Sequence, residues 1–503
     1  MARDLMLTRM LERPADEWME IFRANGNVAA EPFLTTTEAL AHPDIVAAGD
    51  IVTIDDPQHG PVRTIGVIAE LTEMPAIVGT PAPLVGADST DAVIAAWSAA
   101  ADPLPAAGGA GPPAGRPLDG ITVVDLATII AAPIAASMLA DLGARVIKVE
   151  TPDGGDESRS WGPPFVGPQG DQVSTYFMSA NRNKESVTAD LRTDEGRDFL
   201  TRLVAQADVV LENFRTGVLD RLGFGHARLQ EINPRVVVLS ITGFGHDGPE
   251  GGRAGYDQIA QGEGGLMSVT GPSPEQPTRV GVPIGDLLAG MNGVIGVLAA
   301  LHERVTTGRG RVVRTSLLAS VVGVHAYQGT RWTVAHEVPQ ALGNHHPSIA
   351  PYGLFQTADD PIQIACGSQR LWESLAGLLT IDDPRFATNR DRVGHRDALV
   401  ALVEAALAAD GAEAWLARLS EVGVPAGKVR TLDDVYTWDQ TLSQGLLVDV
   451  EHPTLGTVQL PGPPLRFDDN AFAGTRERHL PPPRLGEHDA SVRAWLDSLD
   501  SPG

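Results

Sequence analysis

Asp286 is the only charged residue in the stretch VGVPIGDLLAGM (280–291), where it stands among glycines and aliphatic side chains. A carboxylate placed there costs desolvation free energy that a purely structural segment avoids. One reading makes it the N-cap of the helix expected over LLAGMNGVIGVLAALHER, with Gly285 just ahead of it. The other makes it a nucleophile, because a carboxylate held away from water at a helix N-terminus can stay charged and be aimed at an electrophile. The two roles are compatible. Cys366, the only cysteine, is a weaker candidate: it lies in IQIACGSQ, which reads as a buried strand and makes it a small core residue.

The scaffold for such a site is large. A chain of 503 residues holds two or three domains. A net charge of −26 and a pI near 4.8 argue against nucleic acid or an anionic membrane as the main partner, since both call for a face rich in Lys and Arg. That total is still compatible with a local basic pocket for a phosphorylated cofactor. A single cysteine rules out a disulfide framework and a cysteine-rich zinc site, and it fits a reducing cytoplasm. The opening MARDLMLTRMLERPADEW carries charges throughout and lacks the uninterrupted apolar stretch of a secretory signal. The longest uncharged apolar run, Leu287–Leu301, is 15 residues and glycine-rich, short of the ~20 residues of a membrane span. A soluble cytoplasmic protein is expected.

Along the chain, ADPLPAAGGAGPPAGRP (101–117) reads as a linker. After it, apolar strands alternate with helices: ITVVDLA, AAPIAASMLADLG, ARVIKVE, then DEGRDFLTRLVAQA with DVVLENF, and LDRLGFGHARLQEINP with RVVVLSITGFG. This alternation predicts a largely parallel sheet covered on both faces, with ligands beyond the carboxyl ends of its strands. The turn after the first strand is ATIIAAP rather than G-x-G-x-x-G, and no G-x-x-x-x-G-K-[ST] occurs, so neither a nicotinamide or flavin site nor a nucleotide triphosphatase is indicated. From about residue 350 a hairpin (PYGLFQTADDPIQIACG) and helices around LWESLAGLL, RDALVALVEAALAA and GAEAWLARLSEVG predict a smaller α+β domain. Residues 15–62 also align with 412–458 at the expense of one gap, pairing Trp18 with Trp415, Gly26 with Gly423, Pro57 with Pro453 and Gly60 with Gly456. The expected division is a partial duplicate of the small-domain tail (1–86), a linker (87–117), a large Rossmann-like domain (118–335), a small α+β domain (336–465) and a tail returning to the large domain (466–503). The duplicate holds no convergent polar groups, so a structural role is expected of it.

The segments PLDGITVVDLA, LGARVIKVE, NRNKESVTADLRTDEG, ADVVLENFRTGVLDRLGFG, INPRVVVLSITGFGHDGP, GYDQIAQGEGGLMSVTG, VGVPIGDLLAGMNGVIGVLAALHERVTTGRG and GNHHPSIAPYG occur in the order seen in family III CoA-transferases, which the chain resembles over about residues 117–490. That superfamily includes formyl-CoA and carnitine CoA-transferases and the α-methylacyl-CoA racemases. The resemblance implies an α/β fold with a Rossmann-like large domain and a smaller α+β domain, in an interlocked homodimer. It also implies an aspartyl nucleophile at Asp286, which carries CoA from an acyl-CoA donor to a carboxylic acid through mixed-anhydride and aspartyl-CoA thioester intermediates. For coenzyme A it points to Ile130 and Ala131 in the first turn, Ala189, Asp190, Leu191 and Arg192 in the motif NKESVTADLR, Asn213 and Phe214 in ENF, Arg221 in DRLGF, and Tyr256 in AGYDQIA. His345 and His346 are candidates for the acyl or carboxylate pocket. They have no companion ligands at metal spacing, so no metal is expected.

Three positions depart from the formyl-CoA branch. Ile130 stands in place of a glutamine, Thr151 in place of an arginine, and GNHHPSIAPYG where that branch has a glycine-rich loop. An acid larger or less polar than formate or oxalate is expected. Two alternatives stand beside CoA transfer. A racemase needs a base opposite Asp286, where the family's histidine falls on Tyr256, and a tyrosine with a pKa near ~10 is a poor base at neutral pH. A non-catalytic CoA-binding assembly subunit would use the duplicate as a docking module.

Overall fold

Runs such as TVVD, VVLE and VVLSIT are apolar on both alternating faces, which suits strands covered from both sides. In a computed structural model, which describes residues 8–25, 35, 38, 41–49, 51–56, 60–67, 70–71, 78, 115–467 and 474–500, they form one sheet. Its strands are β1 (Glu70–Leu71), β2 (Thr122–Asp125), β3 (Arg145–Glu150), β4 (Lys184–Thr188), β5 (Val209–Glu212), β6 (Val237–Thr242) and β7 (Val312–Ser316). Their spatial order is β1-β7-β6-β5-β2-β3-β4. The six strands β2 to β7 are parallel, and β1 adds antiparallel to the β7 edge. The chain starts at the centre with β2, moves outward through β3 and β4, then returns to lay β5 on the other side of β2. The order therefore reverses between β2 and β5, and in such doubly wound sheets ligands bind in the crevice at that point.

Helices cover both faces. On one, α1 (Ala131–Asp141) and α4 (Ile284–Thr307) bury Ala135, Leu139, Val294 and Val297 against Val123, Leu211 and Leu239. On the other, α2 (Asp194–Gln206) and the C-terminal α5 (Asp489–Asp500) bury Phe199, Leu203, Val492 and Leu496 against Val124, Val210 and Val238. Between α2 and α4 lies the short α3 (Asp257–Glu263). By length and composition α4 could cross a membrane, but Ala289, Val294, Val297 and Ala300 sit in the core beneath the sheet. Gly290 lets α4 press onto the start of α1: a Cβ there would come 2.6 Å from the Ala131 carbonyl oxygen.

The chain divides into two compact units. The first comprises Met1–Leu266, Val280–Pro339 and Ser443–Gly503, and the second Met267–Arg279 and Gln340–Leu442. The second unit is an antiparallel three-stranded sheet of Tyr352–Phe355, Ile362–Ala365 and Ala426–Lys428 with the middle segment central. The helices Gln369–Leu379, Arg396–Leu407 and Ala412–Glu421 pack on it through Trp372, Leu375, Leu399, Val403 and Trp415. Cys366 is buried just beyond the central strand, and burial pushes its thiol up to about 12, as suits a core residue.

The repeat seen in the sequence recurs in the coordinates. Hairpin Ile51–Asp56/Gly60–Ile65 runs in register from Ile51↔Ile65 to Asp56↔Gly60, and hairpin Leu447–His452/Gly456–Pro461 from Leu447↔Pro461 to His452↔Gly456. Gly60 and Gly456 both adopt positive φ, +71° and +70°, at the turn exit. Trp18 donates its indole N–H to the carbonyl of Met10 and Trp415 to that of Leu407, eight residues upstream in each case. The linker tract at 101–114 lies outside the described residues.

Candidate active site

Asp286 is the third residue of α4, whose N-cap is Pro283 and which has no side-chain cap hydrogen bond. The capping role expected for Asp286 is therefore not what the fold uses. The Gly285 amide is instead taken by Asp257 Oδ1 at 2.7 Å, from the first turn of α3, while Gln261 Nε2 donates to Asp257 Oδ2 at 2.7 Å. This frees the Asp286 carboxylate, which has no hydrogen-bond partner among the described residues. Burial and then the neighbouring Asp257 charge push it up to about 7. Amides at a helix N-terminus favour the ionised form, while burial and the Asp257 charge act against it. The phenol of Tyr176 is driven up to about 12 by burial and then by the Asp286 charge.

Asp286 opens onto a cavity of about 320 Å³ at the carboxyl ends of the strands. Thr128, Ile129, Ile130 and Ala131 from the β2–α1 turn line it, with Asn213, Phe214 and Arg215 after β5 and Arg253 to Tyr256 ahead of α3. Asn213 fixes the switch point by gripping Thr128 on both backbone groups, accepting from its N–H at 3.0 Å and donating to its carbonyl at 2.8 Å. Ile129 follows with φ +71°, a left-handed conformation unusual for a β-branched residue.

A second cavity of about 210 Å³ shares Thr128 and Phe214 with the first. Ala189, Asp190, Leu191 and Arg192 line it beside Lys148, Thr151 and Asp156. Together the two cavities form an elongated crevice across the β2/β5 switch point, which suits a ligand with two distant ends. Of the residues singled out from the sequence, Asp286, Ile130, Ala131, Asn213, Phe214 and Tyr256 meet in the first cavity, and Ala189 to Arg192 in the second. Arg192 is largely exposed and makes a bidentate pair with Asp190 at 2.8 and 3.0 Å. Arg221 is exposed and lines neither cavity. His345 and His346 belong to the second unit, where they stack edge-on against Phe355 and Tyr352.

The sequence reading missed Lys148, Asp156, Tyr176 and the holding role of Asp257. A lysine inside the apolar strand RVIKVE was a visible signal, because an unpaired charge in a strand covered on both faces requires a buried partner. The isolated Tyr176 offered none.

A doubly wound sheet with a carboxylate facing a long crevice at its switch point defines an α/β enzyme acting on an extended ligand. A sequence profile of CoA-transferase family III matches residues 2–89 and 118–489, and the chain belongs to that family. It is 37% identical over 381 residues to succinyl-CoA:glutarate CoA-transferase of Mus musculus, a match covering 75% of this chain and 86% of the relative. It is 36% identical to acetyl-CoA:oxalate CoA-transferase of Acetobacter aceti, covering 75% and 95%. A crystal structure of a CAIB/BAIF family protein from Brucella suis superposes with a TM-score of 0.68 at 41% identity, over 76% of this chain and all of that one. The chain is a CoA-transferase, a class whose substrates are CoA thioesters.

Proposed function

We propose that the protein moves CoA from an acyl-CoA donor to a carboxylic acid with Asp286 as covalent carrier, in the cytoplasm and as an interlocked homodimer. The observation that carries this reading is an unpartnered carboxylate, raised to about 7, lining a cavity that shares Thr128 and Phe214 with a second one beside it. Asp286 attacks the thioester carbonyl, the C–S bond breaks, and CoA thiolate leaves a mixed anhydride. The thiolate then attacks the Asp286 carbonyl, releasing the donor acid and leaving an aspartyl-CoA thioester. The incoming carboxylate attacks that carbonyl and expels the thiolate, which finally takes the acceptor acyl group and restores Asp286. A partly desolvated carboxylate has little hydration to shed in the first attack.

Relatives named for glutarate, and others of similar identity named for mesaconate, support a dicarboxylic acid as acceptor. Arg215, exposed at the rim of the first cavity, supplies the cation that a distal carboxylate calls for. Asp257 is engaged by Gly285 and Gln261, and Tyr256 is the side chain offered to the cavity. This favours acyl transfer over α-proton exchange. Incubation with succinyl-CoA, trapping with hydroxylamine and peptide mapping by mass spectrometry should place the modification on Asp286. Full turnover by Asp286→Ala would sink the mechanism, and a panel of glutarate, succinate, oxalate and butyrate reads the acceptor class.

A further inference from the structure

The β2–α1 turn that faces Asp286 is held by more contacts than a turn needs. Asp125 Oδ1 accepts from the Ala127 amide at 3.0 Å, and the Ala127 carbonyl accepts from Lys148 Nζ at 2.6 Å. Thr128 is gripped twice by Asn213. The Ile129 amide donates to both carboxylate oxygens of Asp156, at 3.1 and 3.2 Å. Asp156 is itself fully buried, paired with the buried ammonium of Lys148 at 2.9 Å, and it accepts from the Ser158 amide at 2.9 Å and hydroxyl at 2.7 Å. Burial alone would raise the Asp156 carboxyl, yet Lys148 and Ser158 hold it below its ordinary range.

This investment surrounds a residue in a costly conformation. Ile129 sits at φ +71°, where its branched side chain crowds the backbone and a glycine would not. Such outliers persist only when the surroundings over-determine them, and they cluster at functional sites. Geometry adds a second point. Lys148 and Asp156 line the cavity of Ala189–Arg192, whereas Ile129 lines the cavity of Asp286. The buried pair thus belongs to one cavity and, through the Ile129 amide, holds a residue that lines the other.

We propose that Asp156, anchored by Lys148 and Ser158, is a positioning residue for CoA exchange: it holds Ile129 left-handed so that the turn keeps its place opposite Asp286. The proposal rests on the exchange reading above. If it holds, the need for Asp156 comes from Ile129 and shrinks when a glycine relieves the conformation. The test is a double-mutant cycle on the full-length protein with Asp156→Asn, Ile129→Gly and the pair, measured as kcat and KM for succinyl-CoA:glutarate exchange. Asp156→Asn is expected to lower kcat by about 10- to 100-fold, the scale for a displaced reacting geometry, with a smaller change in KM. In the Ile129→Gly background the same substitution should cost about threefold or less, because the glycine takes the turn conformation unaided. Equal fold-losses in both backgrounds, or a loss confined to KM, would overturn it.

Should Asp156→Asn not fold, Ser158→Ala removes one hydroxyl contact to Asp156 and gives a milder form of the cycle, with the same expected non-additivity. Thermal unfolding of the variants reads the coupling without catalysis. Absence of exchange in the wild-type protein would therefore remove the functional reading, while additive unfolding shifts would remove the positioning role.

Discussion

Two aspartates, Asp156 in the lining of the second cavity and Asp286 in that of the first, are held in opposite ways. Asp156 accepts hydrogen bonds from Ile129, Ser158 and Lys148 and is kept below the ordinary carboxylate range. Asp286 has no hydrogen-bond partner among the described residues and is raised to about 7 by burial and the Asp257 charge. The residue type is the same, and what differs is how many donors the fold supplies. A fully satisfied carboxylate is inert and shapes its surroundings; an unsatisfied one keeps its lone pairs for an incoming electrophile. The contrast is built by the strand order, since Asp156 follows β3 on one side of the switch point and Asp286 opens the helix feeding β7 on the other.

The sharpest way to break this contrast is Asp286→Ala. Loss of the covalent carrier should lower exchange by about 10³-fold or more in kcat, measured by acyl-CoA consumption, whereas any activity near wild type would make Asp286 as structural as Asp156. Titrating the wild-type enzyme comes next. With Asp286 raised to about 7, its nucleophilic form is lost as pH falls through that value, so kcat/KM for acyl-CoA should drop about tenfold per pH unit below it. A profile flat from pH 5 to 8 would contradict the unpartnered environment.

Stability gives a smaller effect of fixed sign. A carboxyl raised in the folded state is destabilising when ionised, and the penalty fades as pH falls from about 7 toward its ordinary value. Asp286→Asn should therefore unfold a few degrees above wild type at pH 8, with the gap narrowing toward pH 4 in scanning calorimetry. Asp156→Asn should move the other way, since its pKa is depressed and its contribution is present above the ordinary carboxylate range and lost in acid. The smallest change expected is Arg192→Gln. Its guanidinium is largely exposed and shared with Asp190, so KM for acyl-CoA should rise about twofold to fivefold with kcat unchanged.

Much of this architecture was written in hydrophobic patterning. The runs VVD, VIKV, VVLE and VVLSIT announced parallel strands because both alternating faces are apolar, and the alternation of helices between them fixed the sheet type. The repeat was legible because Trp18/Trp415 and Gly60/Gly456 are residues whose roles, an indole N–H bond and a positive-φ turn, admit few substitutes. Asp286 stood out as a charge without company. What could not be read were pairings across distant sequence. Asp257 and Gly285 are 28 positions apart, and Ile129 and Asp156 are 27; each looked like an ordinary turn or helix-start residue until the sheet brought the segments together. The cap expected at Asp286 failed because the helix starts two residues earlier, at Ile284, which places Asp286 inside its first turn.

Gly290 has one more consequence. With no methyl group at that position, α4, which carries Asp286, lies against the first turn of α1, which carries Ala131 into the same cavity. A Cβ there would come 2.6 Å from the Ala131 carbonyl oxygen, so any larger residue must push apart two helices that both reach the cavity of Asp286.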